Sequence, residues 1–166
     1  MAGTLGVRTL VGRRPWRVAR APRRRRAGPQ GADLATVERL AALPAPVLRA
    51  LDSAGDRCVV GPGYAVVARG AAVRWVWIVL DGELAAGDDG FPERILRRGD
   101  VFGVVETLAR VPAAASVVAR DRTRLLAIPE REFRALVDTR APFAGMVLRA
   151  VARTQAAERE RERDAD

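Results

Sequence analysis

From Arg57 to Ile128 the chain breaks its apolar stretches every few residues, and the longest, Trp75 to Leu80, is six residues long. Glycine, proline and aspartate supply many of the breaks: Gly61-Pro62-Gly63, Asp81-Gly82, Gly87-Asp88-Asp89-Gly90 and Gly99-Asp100. Runs this short do not make helices of ordinary length but suit strands joined by tight turns. Strands are expected over Arg57–Val60, Tyr64–Ala68, Arg74–Leu80, Glu83–Ala86, Phe91–Arg97, Val101–Gly103, Ala115–Ala119 and Thr123–Ile128, with Asp81-Gly82 as a hairpin signal. Val104–Arg110 has room for one or two helical turns. With no helical pattern between the other strands, the expected fold is mainly β: an antiparallel roll or sandwich rather than a βαβ sheet.

Helical patterns flank this region. Asp33 is placed to cap a helix through about Leu43, with Leu34, Val37, Leu40 and Ala41 on one face. After Pro44 and Pro46, Val47, Leu48 and Leu51 mark a second short helix that ends near Gly55. Pro129 is expected at the first position of a later helix, with Glu130 and Glu132 at its positive end and Phe133, Leu136 and Val137 as its apolar face. Pro142 opens a last, long helix. There Phe143, Val147, Ala150, Thr154 and Ala157 recur at heptad-like spacing. That stripe has two readings, a parallel homodimer seam or packing on the roll. The Glu-Arg alternation of 158–163 reads as a solvated extension.

Composition removes several chemistries. Among 166 residues there is no histidine and one cysteine, Cys58. This excludes Ser-His or Cys-His nucleophile activation, imidazole metal ligands, an intrachain disulfide and a cysteine zinc cluster. Cys58 reads as a small half-buried residue, and Trp75 and Trp77 as sharing one strand face that packs in a core or between domains. No window approaches the roughly 18 apolar residues of a spanning helix. The N-terminus lacks the apolar segment of a signal peptide, so a reducing cytoplasm is the expected location.

The formal net charge of +9 is unevenly placed. Residues 1–30 hold nine of the 29 arginines and no acid; residues 31–166 hold the other 20 with all 20 acids. The first segment lacks apolar periodicity and is expected to be a disordered arm. Arg13, Arg14, Arg17, Arg23, Arg24, Arg25 and Arg26 are its candidate anion-binding residues, for nucleic acid or an anionic membrane surface. A bland solvated arm, or a start site set too far upstream in an arginine-rich genome, are the competing readings. Residues 31–166 form the expected domain.

Five stretches in that domain, in order, resemble the cyclic nucleotide-binding domain, the sensor half of CRP/FNR-type regulators. Leu43-Pro44 through Leu48-Arg49-Ala50-Leu51 is similar to its opening helices, and Gly63 and Gly70 bracket a strand as in the family. Trp77-Ile78-Val79-Leu80-Asp81-Gly82-Glu83 resembles its Leu-x-Gly turn, and Gly99-Asp100-Val101-Phe102-Gly103 its Gly-Asp-x-Phe-Gly. Leu125-Leu126-Ala127-Ile128-Pro129 through Phe133 resembles the exit from strand to helix. The likeness covers about residues 38 to 157. It implies a double-stranded β-helix roll, a long C-terminal helix, and a cassette in which a short helix and an arginine hold the cyclic phosphate while a glutamate holds the ribose.

The resemblance places that glutamate at Val104 and that arginine at Ala113, so both side chains are missing. Glu106 comes two residues late and Arg110 three early. The remnant cassette is Phe102, Gly103, Val104, Val105, Ala113, Ala114 and Ala115, and a modified pocket lined by Val104, Val105, Ala113 and Ala115 would suit a more apolar ligand. Losing a desolvated arginine–phosphate bond costs about 2–5 kcal/mol, roughly 30- to several-thousand-fold in affinity. The expected protein is therefore a non-enzymatic regulatory module, weak or inactive toward cyclic nucleotides and without other cofactor. It is expected to act through an unidentified protein partner or as a homodimer. With the chain ending at Asp166, no helix-turn-helix is expected. Nucleic-acid or anionic-surface binding through the arginine arm is the alternative.

Overall fold

The computed structural model describes residues 32–87 and 93–164. The anion-binding arginines 13 to 26 lie outside the described residues, as do the turn residues 88–92 and the side chains of Thr154 and Ala157.

The elements run α1 (Ala32–Ala35), α2 (Ala45–Ala54), β1 (Asp56–Val60), β2 (Ala65–Val67), β3 (Trp75–Asp81), β4 (Leu84–Gly87), β5 (Arg94–Leu96), β6 (Val101–Phe102), α3 (Val104–Ala109), β7 (Ser116–Ala119), β8 (Thr123–Pro129), α4 (Glu130–Thr139) and α5 (Ala141–Asp164). The eight strands form two four-stranded antiparallel sheets, ordered β1-β8-β3-β6 and β2-β7-β4-β5.

Burial explains why β3 reads as an unbroken apolar run. Val76, Ile78 and Leu80 join Leu126 and Ile128 of β8 in a core shared with Leu48, Leu51, Phe133, Leu136, Phe143 and Val147 of the helices. Val79 and Leu125 point the other way, into a core with Val67, Leu84, Leu96, Phe102 and Val117 of both sheets, where half-buried Trp77 also packs. A strand covered on both faces needs apolar residues at every position.

Asp81-Gly82 is not a hairpin. β3 belongs to one sheet and β4 to the other, so these residues turn a corner between layers. Gly82 has φ +86°, and a Cβ there would sit 2.7 Å from Asp121 Oδ1 and Thr123 Oγ1. The corner is clasped by a second one: Arg120 N–H donates to Glu83 O (2.9 Å) and Glu83 N–H to Asp121 Oδ1 (3.0 Å). Asp-Gly secures the tight bend, but long-range pairing of β3 with β8 decides that the chain changes sheet.

The first helix is shorter than its periodicity suggested. α1 stops at Ala35, and i→i+3 bonds carry the chain onward: Val37 N–H to Leu34 O (3.1 Å) and Leu40 N–H to Val37 O (2.8 Å). Residues three apart stack on one side of such turns. Leu34, Val37, Leu40 and Leu43 are therefore buried, while Ala41 is exposed. Pro129 sits one step earlier than expected, as the last residue of β8 and the N-cap of α4, because its ψ of 147° is still extended.

The heptad-like stripe of α5 turns inward at its first half. Phe143 and Val147 are buried in their own chain's helix-side core, and Phe143 meets Phe133 edge-on at 5.7 Å. At these two positions the stripe follows the second of its two readings, packing on the roll. Ala150 is half-buried, and the large apolar Leu148 of α5 is 70% exposed.

Candidate functional site

The cassette region starts where β6 ends. Gly103 has φ +80° and caps α3, and a Cβ on it would fall 2.7 Å from Trp75 O and 3.0 Å from the Trp77 ring. Only glycine allows this approach at a left-handed position. Phe102, beside it, stacks on Trp77 with ring centroids 5.2 Å apart and 11° between planes.

The expected lining residues do not come together. Val104 is buried in the helix-side core, whereas the next residue, Val105, is 41% exposed. Successive residues on a helix point about 100° apart, which separates them. Ala113 is buried in the inter-sheet core, Ala114 is exposed and Ala115 half-buried. The proposed pocket of Val104, Val105, Ala113 and Ala115 is thus split between two cores and the surface.

Ala113 is also tied on both backbone sides. Its N–H donates to Ala71 O (2.9 Å) and its carbonyl accepts from Gly70 N–H (2.8 Å). Ala72 bridges to Pro112, and Arg69 N–H donates to Ser116 Oγ (3.0 Å). Two cavities of about 20 and 230 Å³ lie elsewhere, the first at Arg39, Arg94, Asp100 and Arg153, the second at Asp81, Arg98 and Arg124. Neither is lined by residues 102–116.

The two displaced charges stand at opposite ends of α3. Glu106 is half-buried in the first turn. Arg110, left-handed at φ +57°, turns its guanidinium to Glu130 (3.4 Å). Glu130 also receives Arg134 (3.2 Å) and Arg74 (3.5 Å), and is itself only 15% exposed. Sequence reasoning missed this cluster; its one local signal is the i,i+4 spacing of Glu130 and Arg134, whereas Arg74 and Arg110 arrive from distant elements.

Burial alone would push the Glu130 carboxyl up, but the hydrogen bonds and charges of Arg134 and Arg110 outweigh it and hold the pKa below the usual value. A depressed folded-state pKa stabilises the fold above the ordinary glutamate value of about 4.3, and the contribution disappears as pH falls through the lower folded value. The wild type should therefore melt above Glu130→Gln at neutral pH, with the gap closing below about pH 4. A gap unchanged in thermal melts across that range would mean that the charge contributes nothing.

Cys58 is half-buried, and burial, with the nearby Asp56 charge, raises its pKa, so the thiol stays protonated at neutral pH. Among the described residues no helix is long and apolar enough to cross a membrane.

Comparison with known proteins matches this architecture. A sequence profile described as the cyclic nucleotide-binding domain matches residues 57–140. The mouse patatin-like phospholipase domain-containing protein 6 is 35% identical over 102 residues, which make up 58% of this chain and 8% of that protein. The chain thus spans a small fraction of this curated relative. Among solved structures, the second cyclic-nucleotide domain of a protein kinase A regulatory subunit bound to Sp-2Cl-cAMPS superposes with a TM-score of 0.68 at 19% identity, covering 78% of this chain and 87% of that one. The catabolite activator protein of Thermus thermophilus superposes with a TM-score of 0.57 at 26% identity, covering 76% and 60%. Profile, topology and the Gly103–α3 turn agree: the chain belongs to the cyclic nucleotide-binding domain family.

Proposed function

We propose that the chain is a non-enzymatic regulatory module of the CRP/FNR sensor type that has lost useful affinity for cyclic nucleotides. It acts through contact with another protein or a second copy of itself, in the cytoplasm. The observation that carries this reading is the fate of the two cassette positions: Val104 and Ala113 are apolar and buried in separate cores. An anionic ligand there meets no guanidinium and no ribose-binding carboxylate, a deficit of at least about 2–5 kcal/mol. The phospholipase name of the mouse relative describes a protein of which 8% is matched. This chain has no histidine, and its thiol is protonated, so we assign it no hydrolytic role.

Calorimetric titration of the full chain with cyclic AMP and cyclic GMP should give no saturable heat up to about 100 µM ligand, a limit near −5.5 kcal/mol. A micromolar dissociation constant for either would overturn the reading. Anionic binding by the arginine arm is the second reading, favoured by nine arginines without an acid in residues 1–30. Salt-dependent DNA binding that vanishes when 1–30 are deleted separates it from the first.

A further inference from the structure

The cavity of about 20 Å³ lies between the turn after β5 and one side of α5. Its floor is Gly99, Asp100 and Val101. Two backbone bonds hold that turn to β3: Gly99 N–H donates to Val79 O (2.8 Å) and Val79 N–H to Asp100 O (2.9 Å). Its wall is Met146, Ala150 and Arg153, which share one side of α5 at i, i+4 and i+7. Buried Met146 fixes that side against the core, and the short side chain of Ala150 leaves the gap.

Three arginines reach this cavity with one carboxylate. Arg39 arrives from the turns after α1, its stem 3.6 Å from where a Gly99 Cβ would stand, and pairs with Asp100 (Nη1 to Oδ1, 2.9 Å). The other Asp100 oxygen accepts Arg97 N–H (2.8 Å), so both oxygens are taken. Half-buried Arg94 of β5 and exposed Arg153 line the same cavity, and no carboxylate among the described residues pairs with either. The acid thus cancels one charge of the three. The remaining like charges repel in a partly enclosed site, and an anion between them removes the repulsion.

We propose that this cavity is an oxyanion site that takes a dianionic phosphate group, free or as the end of a small monoester, between Arg94 and Arg153. Two guanidinium forks match a group with two charges and several oxygens, whereas a carboxylate would leave one fork unused. A cavity with room for little more than a water molecule admits phosphate oxygens alone, so any organic remainder lies outside, past exposed Arg153. The phosphate of a cyclic nucleotide carries a single charge and is flanked by its own ring, which makes it a poor fit. The site is separate from the cassette, and it stands whether or not the cassette binds a nucleotide.

Amide chemical shifts of the full-length chain test it, at about pH 7.5, where a phosphate monoester is dianionic. With inorganic phosphate or glycerol phosphate, the signals of Gly99, Val101 and Arg153 should move saturably, with a dissociation constant of about 1 mM or below at ~50 mM salt. Equal affinity for the two assigns a monoester site, and saturation by inorganic phosphate alone assigns a free-ion site. Arg94→Gln and Arg153→Gln should each weaken binding roughly tenfold or more. Should Arg94→Gln fail to fold, Arg153→Gln, on the exposed side, decides alone. Arg153→Glu supplies the anion from within the chain, and should abolish binding while melting no lower than wild type. Replacing Arg23, Arg24, Arg25 and Arg26 with glutamine should leave the affinity within about twofold of wild type. Shifts that stay linear with concentration, that survive Arg153→Gln, or that vanish with the arm arginines would overturn the site. Saturation of the same signals by cyclic AMP at equal affinity would overturn its preference for a dianion.

Discussion

Truncating Phe133 to alanine is expected to remove about 3–5 kcal/mol of stability, the range for deleting a buried aromatic ring. The ring is 1% exposed and lies edge-on to Phe143, where α4 and α5 close over Val76, Ile78, Leu126 and Ile128 of the sheet. The edge-to-face contact with Phe143 is lost with the ring as well. Against a typical domain stability of about 5–15 kcal/mol, the variant is close to the unfolding threshold. Urea denaturation of wild type and variant measures the difference. A loss under about 1 kcal/mol would mean that the helices do not share one core with the sheet.

The second large effect is expected at Ala113. Placing arginine there restores the residue that the family resemblance calls for, yet the site is buried among Val67, Val73, Phe102 and Val117. Overpacking and a guanidinium without a partner together should cost about 3 kcal/mol or more, with no gain in cyclic AMP binding. An Ala113→Arg protein as stable as wild type that binds cyclic AMP at micromolar concentration would refute this expectation. Denaturant melts and calorimetry on the same preparation decide it.

Both variants probe what was hard to read in the chain. The strands were legible because turn residues punctuate short apolar runs, and every strand but β5 begins and ends within a residue of expectation. The cassette positions Val104 and Ala113 rest on the family resemblance, counted from the Phe102-Gly103 turn and the exit strand. Sheet membership was not legible. Asp81-Gly82 has the chemistry of a hairpin, but β3 is taken by β8, with Trp77 opposite Ala127, and no local signal announces that pairing. The α5 stripe left two readings open for a related reason: a periodic apolar face shows that something covers it, not whether the cover is the same chain. Phe133 and the sheet cover Phe143 and Val147.

The sequence by itself determined the antiparallel roll and the flanking helices. These depend on residue identity and on backbone preferences that act over a few residues. Tertiary structure alone decided which sheet each strand joins, that Val104 and Ala113 enter different cores, and that three arginines from separate elements meet at Glu130. Those outcomes depend on contacts between residues far apart in the chain, whose direction is set only when the two sheets and the helices pack together.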